Sequence, residues 1–107
     1  MSKGAVVYSF GDVVLTTLQF PDTYEVKSRP AVVLFQEEGN IVLAGITGKA
    51  KERGAVYLYK KEGAAKDCVI KLNYLFTVAP SMIQKTLFTI TDAKKTQLKA
   101  ELDKRFK

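Results

Sequence analysis

One arginine in this 107-residue chain stands where an anion could be held. Arg29 follows the polar stretch 21–28, PDTYEVKS, and precedes Pro30 and an apolar run, so it sits at the mouth of a loop on backbone that the proline fixes. A planar guanidinium donates two parallel charge-assisted hydrogen bonds to a carboxylate or a phosphate. From the residues alone the anion is either an RNA phosphate or a nearby carboxylate such as Asp22 or Glu25. The second polar group of interest is Thr47, which ends the run IVLAGIT. With the intervening hairpin centred on Gly39, position 29 faces position 49, and Thr47 lies within two residues of Arg29's cross-strand partner. Taken singly, each residue has an ordinary counterpart: a salt bridge for Arg29, a β-branched strand position for Thr47.

What the chain lacks narrows the chemistry. It contains no histidine and a single cysteine, Cys68, which excludes a Cys/His zinc site, an internal disulfide, the usual hydrolase triads and histidine-based ribonuclease chemistry. No metal or cofactor is expected. Cys68 reads as a small buried apolar residue. Seventeen Lys and Arg against eleven Asp and Glu give a net charge of +6, which favours polyanionic partners, although a solubilising surface would look the same. Residues 49–71 hold four of those six net charges. No stretch approaches the ~20 apolar residues of a membrane span, and the first residues lack a signal-peptide pattern. A soluble, cytoplasmic chain forming one domain over 1–107 is expected.

The elements that must position Arg29 and Thr47 read as short strands. Asp12 to Phe20 is too continuously apolar for a one-sided strand and reads as buried on both faces. Pro21 to Ser28 is a loop long enough to cover a groove. Strands follow over Arg29 to Phe35 and Ile41 to Thr47, joined at Glu37-Glu38-Gly39-Asn40, with Gly39-Asn40 taking positive φ. Ala55 to Tyr59 is a further strand, 60–66 a polar loop, and Asp67 to Thr77 a pair of short strands broken near Asn73. One helical turn is expected at Pro80 to Lys85. Thr91 or Asp92 caps a helix over Ala93 to Phe106, with Leu98, Leu102 and Phe106 on the stripe that packs on the sheet. The pattern is mainly β, a small barrel or sandwich with a C-terminal helix.

The blocks GDVVLTTLQFPD, SRPAVVL, VLAGIT and DCVIKLNYLFTVAPSMIQKTLFTIT, in this order before a terminal helix, resemble the PemK/MazF family of toxins from type II toxin–antitoxin systems. The resemblance runs from about Phe10 to the C-terminus. It implies a small SH3-like barrel with a C-terminal helix, a homodimer, and an mRNA interferase: an endoribonuclease that cuts single-stranded RNA without metal to a 2′,3′-cyclic phosphate and a 5′-hydroxyl. It also implies an acidic antitoxin as partner, with DNA involved only indirectly through that antitoxin. The family's catalytic arginine falls on Arg29 and its catalytic threonine on Thr47. Departures from the family pattern are Gly48 where a second hydroxyl is common, Tyr24 where a glutamate is common (with Glu25 one place off), Phe88 for glycine and Cys68 for serine.

Under that resemblance the remaining polar residues acquire roles. Arg29 suits stabilisation of the charged phosphorane, and Thr47 suits donation to the same phosphate or orientation of the 2′-hydroxyl. Tyr24 would stack on an unpaired base, and Lys27, Lys49 and Lys51 would neutralise phosphates. Glu25 and Asp22 are the only loop candidates for a general base. Two other readings stand beside the ribonuclease: a non-catalytic member of the same fold that binds RNA, an antitoxin or DNA gyrase, and a basic RNA-binding module unrelated to toxins.

Overall fold

The backbone turns into the sheet at Gly11, whose φ of 96° suits glycine and whose N–H reaches the Val33 carbonyl at 2.9 Å. The computed structural model describes residues 6–48 and 55–106. Strand β1 (Asp12–Leu18) buries Val13 in one apolar cluster and Val14 in another, so it is covered on both faces as its composition requires. It ends at Leu18; Phe20 lies beyond it. β2 (Lys27–Glu37) and β3 (Asn40–Thr47) form the hairpin, with the positive φ at Glu38 and Gly39 rather than at Gly39-Asn40. β4 (Val56–Leu58) is short, and a 3₁₀ turn at Lys60–Glu62 leads towards β5 (Cys68–Val78).

Two expectations need correction after that point. The break near Asn73 is a bulge in a single strand: Ala44 pairs with Leu75 and Gly45 with Lys71, so both flanks stay in register with β3 while 72–74 bow out. The helical turn expected at 80–85 is a 3₁₀ turn at Pro80–Met82, after which Ile83–Thr89 forms strand β6 against β1. β6 gave no sign of itself because bulges at Gln84 and Leu87 break its period of two and most of it is exposed.

The six strands form one antiparallel sheet in the order β4-β5-β3-β2-β1-β6. It curls into a half-barrel, because Leu58 of edge strand β4 and Phe88 of edge strand β6 pack into the same inner cluster with Val13, Ile46 and Leu98. The outer cluster contains Val14, Ala31, Val33, Ile41, Leu43 and Phe20. Helix α1 (Asp92–Arg105) is capped by the Thr91 hydroxyl, which accepts from the Lys94 amide at 3.1 Å. Leu98 is fully buried, a burial worth about 1.5–3 kcal/mol, and Leu102 packs partly against the inner cluster. Phe106 does not follow them: it has left helical geometry (φ −101°, ψ 13°) and is 79% exposed.

Candidate active cleft

Arg29 belongs to the outer-face set of β2, since side chains alternate along a strand and Ala31 and Val33 pack there. Its guanidinium carbon stands 4.2 Å from the centroid of the Phe20 ring. That ring is held from several directions. It is 2% exposed, meets Tyr74 edge-on at 5.0 Å, stacks with Phe76 at 5.7 Å, and lies over Gly45, where a Cβ would come within 2.7 Å of it. A partly buried cation on an aromatic face gains about 0.5–2 kcal/mol and has its orientation restricted. Sequence reasoning took Phe20 only as a strand residue; its position directly before Pro21, at the exit of β1, was the available signal.

The carboxylate partner considered for Arg29 is absent. Glu25 pairs instead with Lys27, Oε1 to Nζ at 3.4 Å, and among the described residues Arg29 makes no ion pair. Its Nε is buried without an acceptor. Such an orphaned donor costs about 1–3 kcal/mol.

Thr47 is closer to Arg29 than the hairpin count suggested. The turn is centred between Glu38 and Gly39, and a bulge at Leu34 shifts the pairing by one further residue, so that Ala31 faces Gly45; continued for two residues, that register sets Arg29 opposite Thr47 rather than opposite position 49. The strand ends that carry both residues border one cleft of about 300 Å³; its apolar wall belongs to the inner cluster, whereas the Arg29 guanidinium lies over Phe20 of the outer cluster. Val13, Ile46, Leu58 and Phe88 supply its apolar wall, and Lys27 and Lys66 supply two further cations. No Asp or Glu is among the described residues that line it. The β2 edge of the cleft is fixed by Ser28, whose hydroxyl donates to Gln84 Oε1 at 3.1 Å, while Gln84 Nε2 donates to the Thr17 hydroxyl at 3.3 Å. Cys68 is half-buried on the wall; burial pushes its thiol pKa up and the Asp67 charge adds to the effect.

Residues 19–25 are not brought there. The chain at 19–25 folds on itself: the Thr23 amide donates to the Phe20 carbonyl at 3.2 Å, Gln19 Nε2 to the Thr23 carbonyl at 3.2 Å, and the Glu25 amide to the Thr23 hydroxyl at 3.1 Å. Asp22 and Tyr24 line a separate small hollow within this loop, and Tyr24 is 97% exposed. Neither Asp22 nor Glu25 lines the cleft, so the structure assembles Arg29, Thr47 and Lys27 without either candidate base. Lys49 and Lys51 lie outside the described residues. Among the described residues no helix is long and apolar enough to cross a membrane.

Several solved structures share this fold. The chain superposes on the Mycobacterium tuberculosis toxin MazF-mt6 with a TM-score of 0.74 at 17% identity, covering 89% of this chain and 95% of that one. A chain of a MazE-MazF crystal structure from Deinococcus radiodurans gives 0.75 at 17% identity, over 94% and 97% of the two chains. An endoribonuclease in complex with its cognate antitoxin, from a mycobacterial species, gives 0.71 at 11% identity over 97% and 95%. No curated protein sequence matches the chain. The sequence profile of the PemK-like, MazF-like toxins matches residues 9–106, nearly the whole chain and every element that builds the cleft. The chain therefore belongs to the PemK-like, MazF-like toxins of type II toxin–antitoxin systems.

Proposed function

We propose that this toxin is an endoribonuclease that cuts single-stranded RNA without a metal ion, leaving a 2′,3′-cyclic phosphate and a 5′-hydroxyl, with Arg29 and Thr47 as its catalytic residues. The observation that carries this reading is the meeting of the strand ends of Arg29 and Thr47 at a cleft that Lys27 and Lys66 also border and that no carboxylate among the described residues lines. Such a site attracts an anion, and the orphaned Nε of Arg29 gains an acceptor when a phosphoryl oxygen arrives. The 2′-oxygen attacks phosphorus and loses its proton, the P–O5′ bond breaks, and the 5′-oxygen leaves with a proton. Arg29 binds the non-bridging oxygens, whose charge grows in the transition state. Thr47 donates its hydroxyl to the same phosphate or orients the 2′-hydroxyl. A preorganised donor of this kind contributes about 2.7–4 kcal/mol. DNA lacks the nucleophile, so the chemistry selects RNA.

The partner is an acidic antitoxin that occupies the same cationic cleft, and the working form is a cytoplasmic homodimer. Toxins of this fold have been solved with MazE and with a cognate antitoxin, which supports the first part. A second reading, a binder without catalysis, draws on one observation: among the described residues no carboxylate base lines the cleft. Incubation of the purified protein with single-stranded RNA and a chelator, followed by end-group analysis, separates the two. Cleavage with cyclic-phosphate ends supports the enzyme; RNA bound and left whole supports the binder.

A further inference from the structure

Gly48 removes a hydroxyl from the end of β3, and the space it leaves is occupied. A Cβ built on Gly48 would lie 3.2 Å from both Cε and Nζ of Lys66, closer than side chains ordinarily pack. The ammonium of Lys66 thus lies against the backbone next to Thr47, on the cleft that Thr47 and Arg29 share. Among the described residues no carboxylate forms an ion pair with it.

The loop that carries Lys66 is held in place. The Lys60 amide donates to Asp67 Oδ1 at 2.9 Å, the Tyr59 amide donates to Glu62 Oε1 at 2.8 Å, and the Lys94 ammonium pairs with Glu62 at 3.8 Å. Gly63 turns at a φ of 115° and packs so tightly on Phe88 that a Cβ there would come within 3.0 Å of the ring. Asp67, the nearest acid in sequence, is occupied by the Lys60 amide.

We infer that Lys66 is a phosphate-binding residue of the cleft, contacting the RNA backbone beside Thr47 at the position that Gly48 leaves open. This rests on the reading of the cleft as an RNA site. An ammonium offers three donors and a full charge, where a serine at position 48 would offer one neutral donor. The arrangement also couples Gly48 and Lys66: a Cβ at 48 requires the end of the Lys66 side chain to shift by a few tenths of an ångström.

The test measures binding and cleavage separately. Binding of a 2′-O-methyl RNA oligonucleotide, which lacks the nucleophile, is followed as a function of salt for wild type, Lys66→Met and Lys66→Arg. One lost phosphate contact lowers the slope of log K against log salt by about 0.7 for a single strand; Lys66→Met is expected to show that loss and Lys66→Arg to restore it. On cleavable RNA, Lys66→Met is expected to slow cutting about tenfold to a hundredfold. Gly48→Ser is expected to slow it less than Lys66→Met does, and to add nothing in a Lys66→Met background. An unchanged slope in folded Lys66→Met overturns the inference, as does a Gly48→Ser variant that cuts faster than wild type, or a wild type that does not bind the oligonucleotide. If wild type binds and never cuts while Lys66→Met still loses the slope, the phosphate contact stands and only the ribonuclease reading falls.

Discussion

Replacing Phe20 by leucine separates the holding of Arg29 from its chemistry. The ring touches Arg29 at 4.2 Å and is 2% exposed, so it serves both the outer core and the guanidinium. Truncation to alanine would cost about 3–5 kcal/mol, a large share of a typical 5–15 kcal/mol stability. Leucine keeps most of the apolar volume and is expected to cost about 1–1.5 kcal/mol, a fall of several degrees in melting temperature. What leucine cannot supply is the flat face. An arginine side chain carries about 2 kcal/mol of rotamer entropy; if that ordering must be regained in the transition state, the rate falls about 30-fold. The loss stays below the ~10²–10³-fold expected when the donor itself is removed in Arg29→Ala. Single-turnover cleavage of a fluorogenic RNA, with thermal melts of the same preparations, reads both numbers. A Phe20→Leu variant that melts a few degrees low and still cuts at the wild-type rate would refute the claim that the ring positions Arg29.

Other perturbations test neighbouring parts of the account. Gly45→Ala places a methyl 2.7 Å from the Phe20 ring and forces it aside; it is expected to cost about 1–3 kcal/mol and to lower cleavage along with it, and a stable, fully active variant would show that the ring has room to move. The raised pKa of Cys68 means that the fold favours the protonated thiol, so its stabilising contribution is complete below the unfolded-state pKa and disappears as pH rises through the folded-state value. Alkylation of folded protein at pH 8 should therefore lag that of an unstructured cysteine peptide, with the rate–pH midpoint displaced upward; coincident midpoints would contradict the burial.

The parts of the fold that were legible in the sequence are those in which apolar residues followed a simple period. Val13 and Val14 side by side announced a strand covered on both faces, and Thr91 before a run of helix formers announced the cap. Arg29 and Thr47 were legible as a pair because both sit at ends of strands joined by a tight turn. Their distance apart was misjudged because the turn is centred between Glu38 and Gly39, which moves the register by one residue, and the Leu34 bulge, invisible in composition, moves it by one more. β6 was hidden by its two bulges. The loop 21–28 reads as a groove cover because it is polar and long; the hydrogen bonds to Thr23 that fold 19–25 onto itself are not visible in that pattern. Phe20 and Lys66 depend on contacts between distant segments, one with Arg29 and Gly45, the other with Gly48. No local pattern encodes such contacts.

The central claim is that Arg29 and Thr47 act on a phosphate attacked by its own 2′-hydroxyl. The most direct measurement compares an all-RNA strand with the same strand carrying a single 2′-deoxynucleotide on the 5′ side of the mapped cut, in the presence of chelator. The account predicts that the deoxy strand binds with similar affinity and is not cut at that position. Cleavage of the deoxy strand at the same phosphate would contradict it.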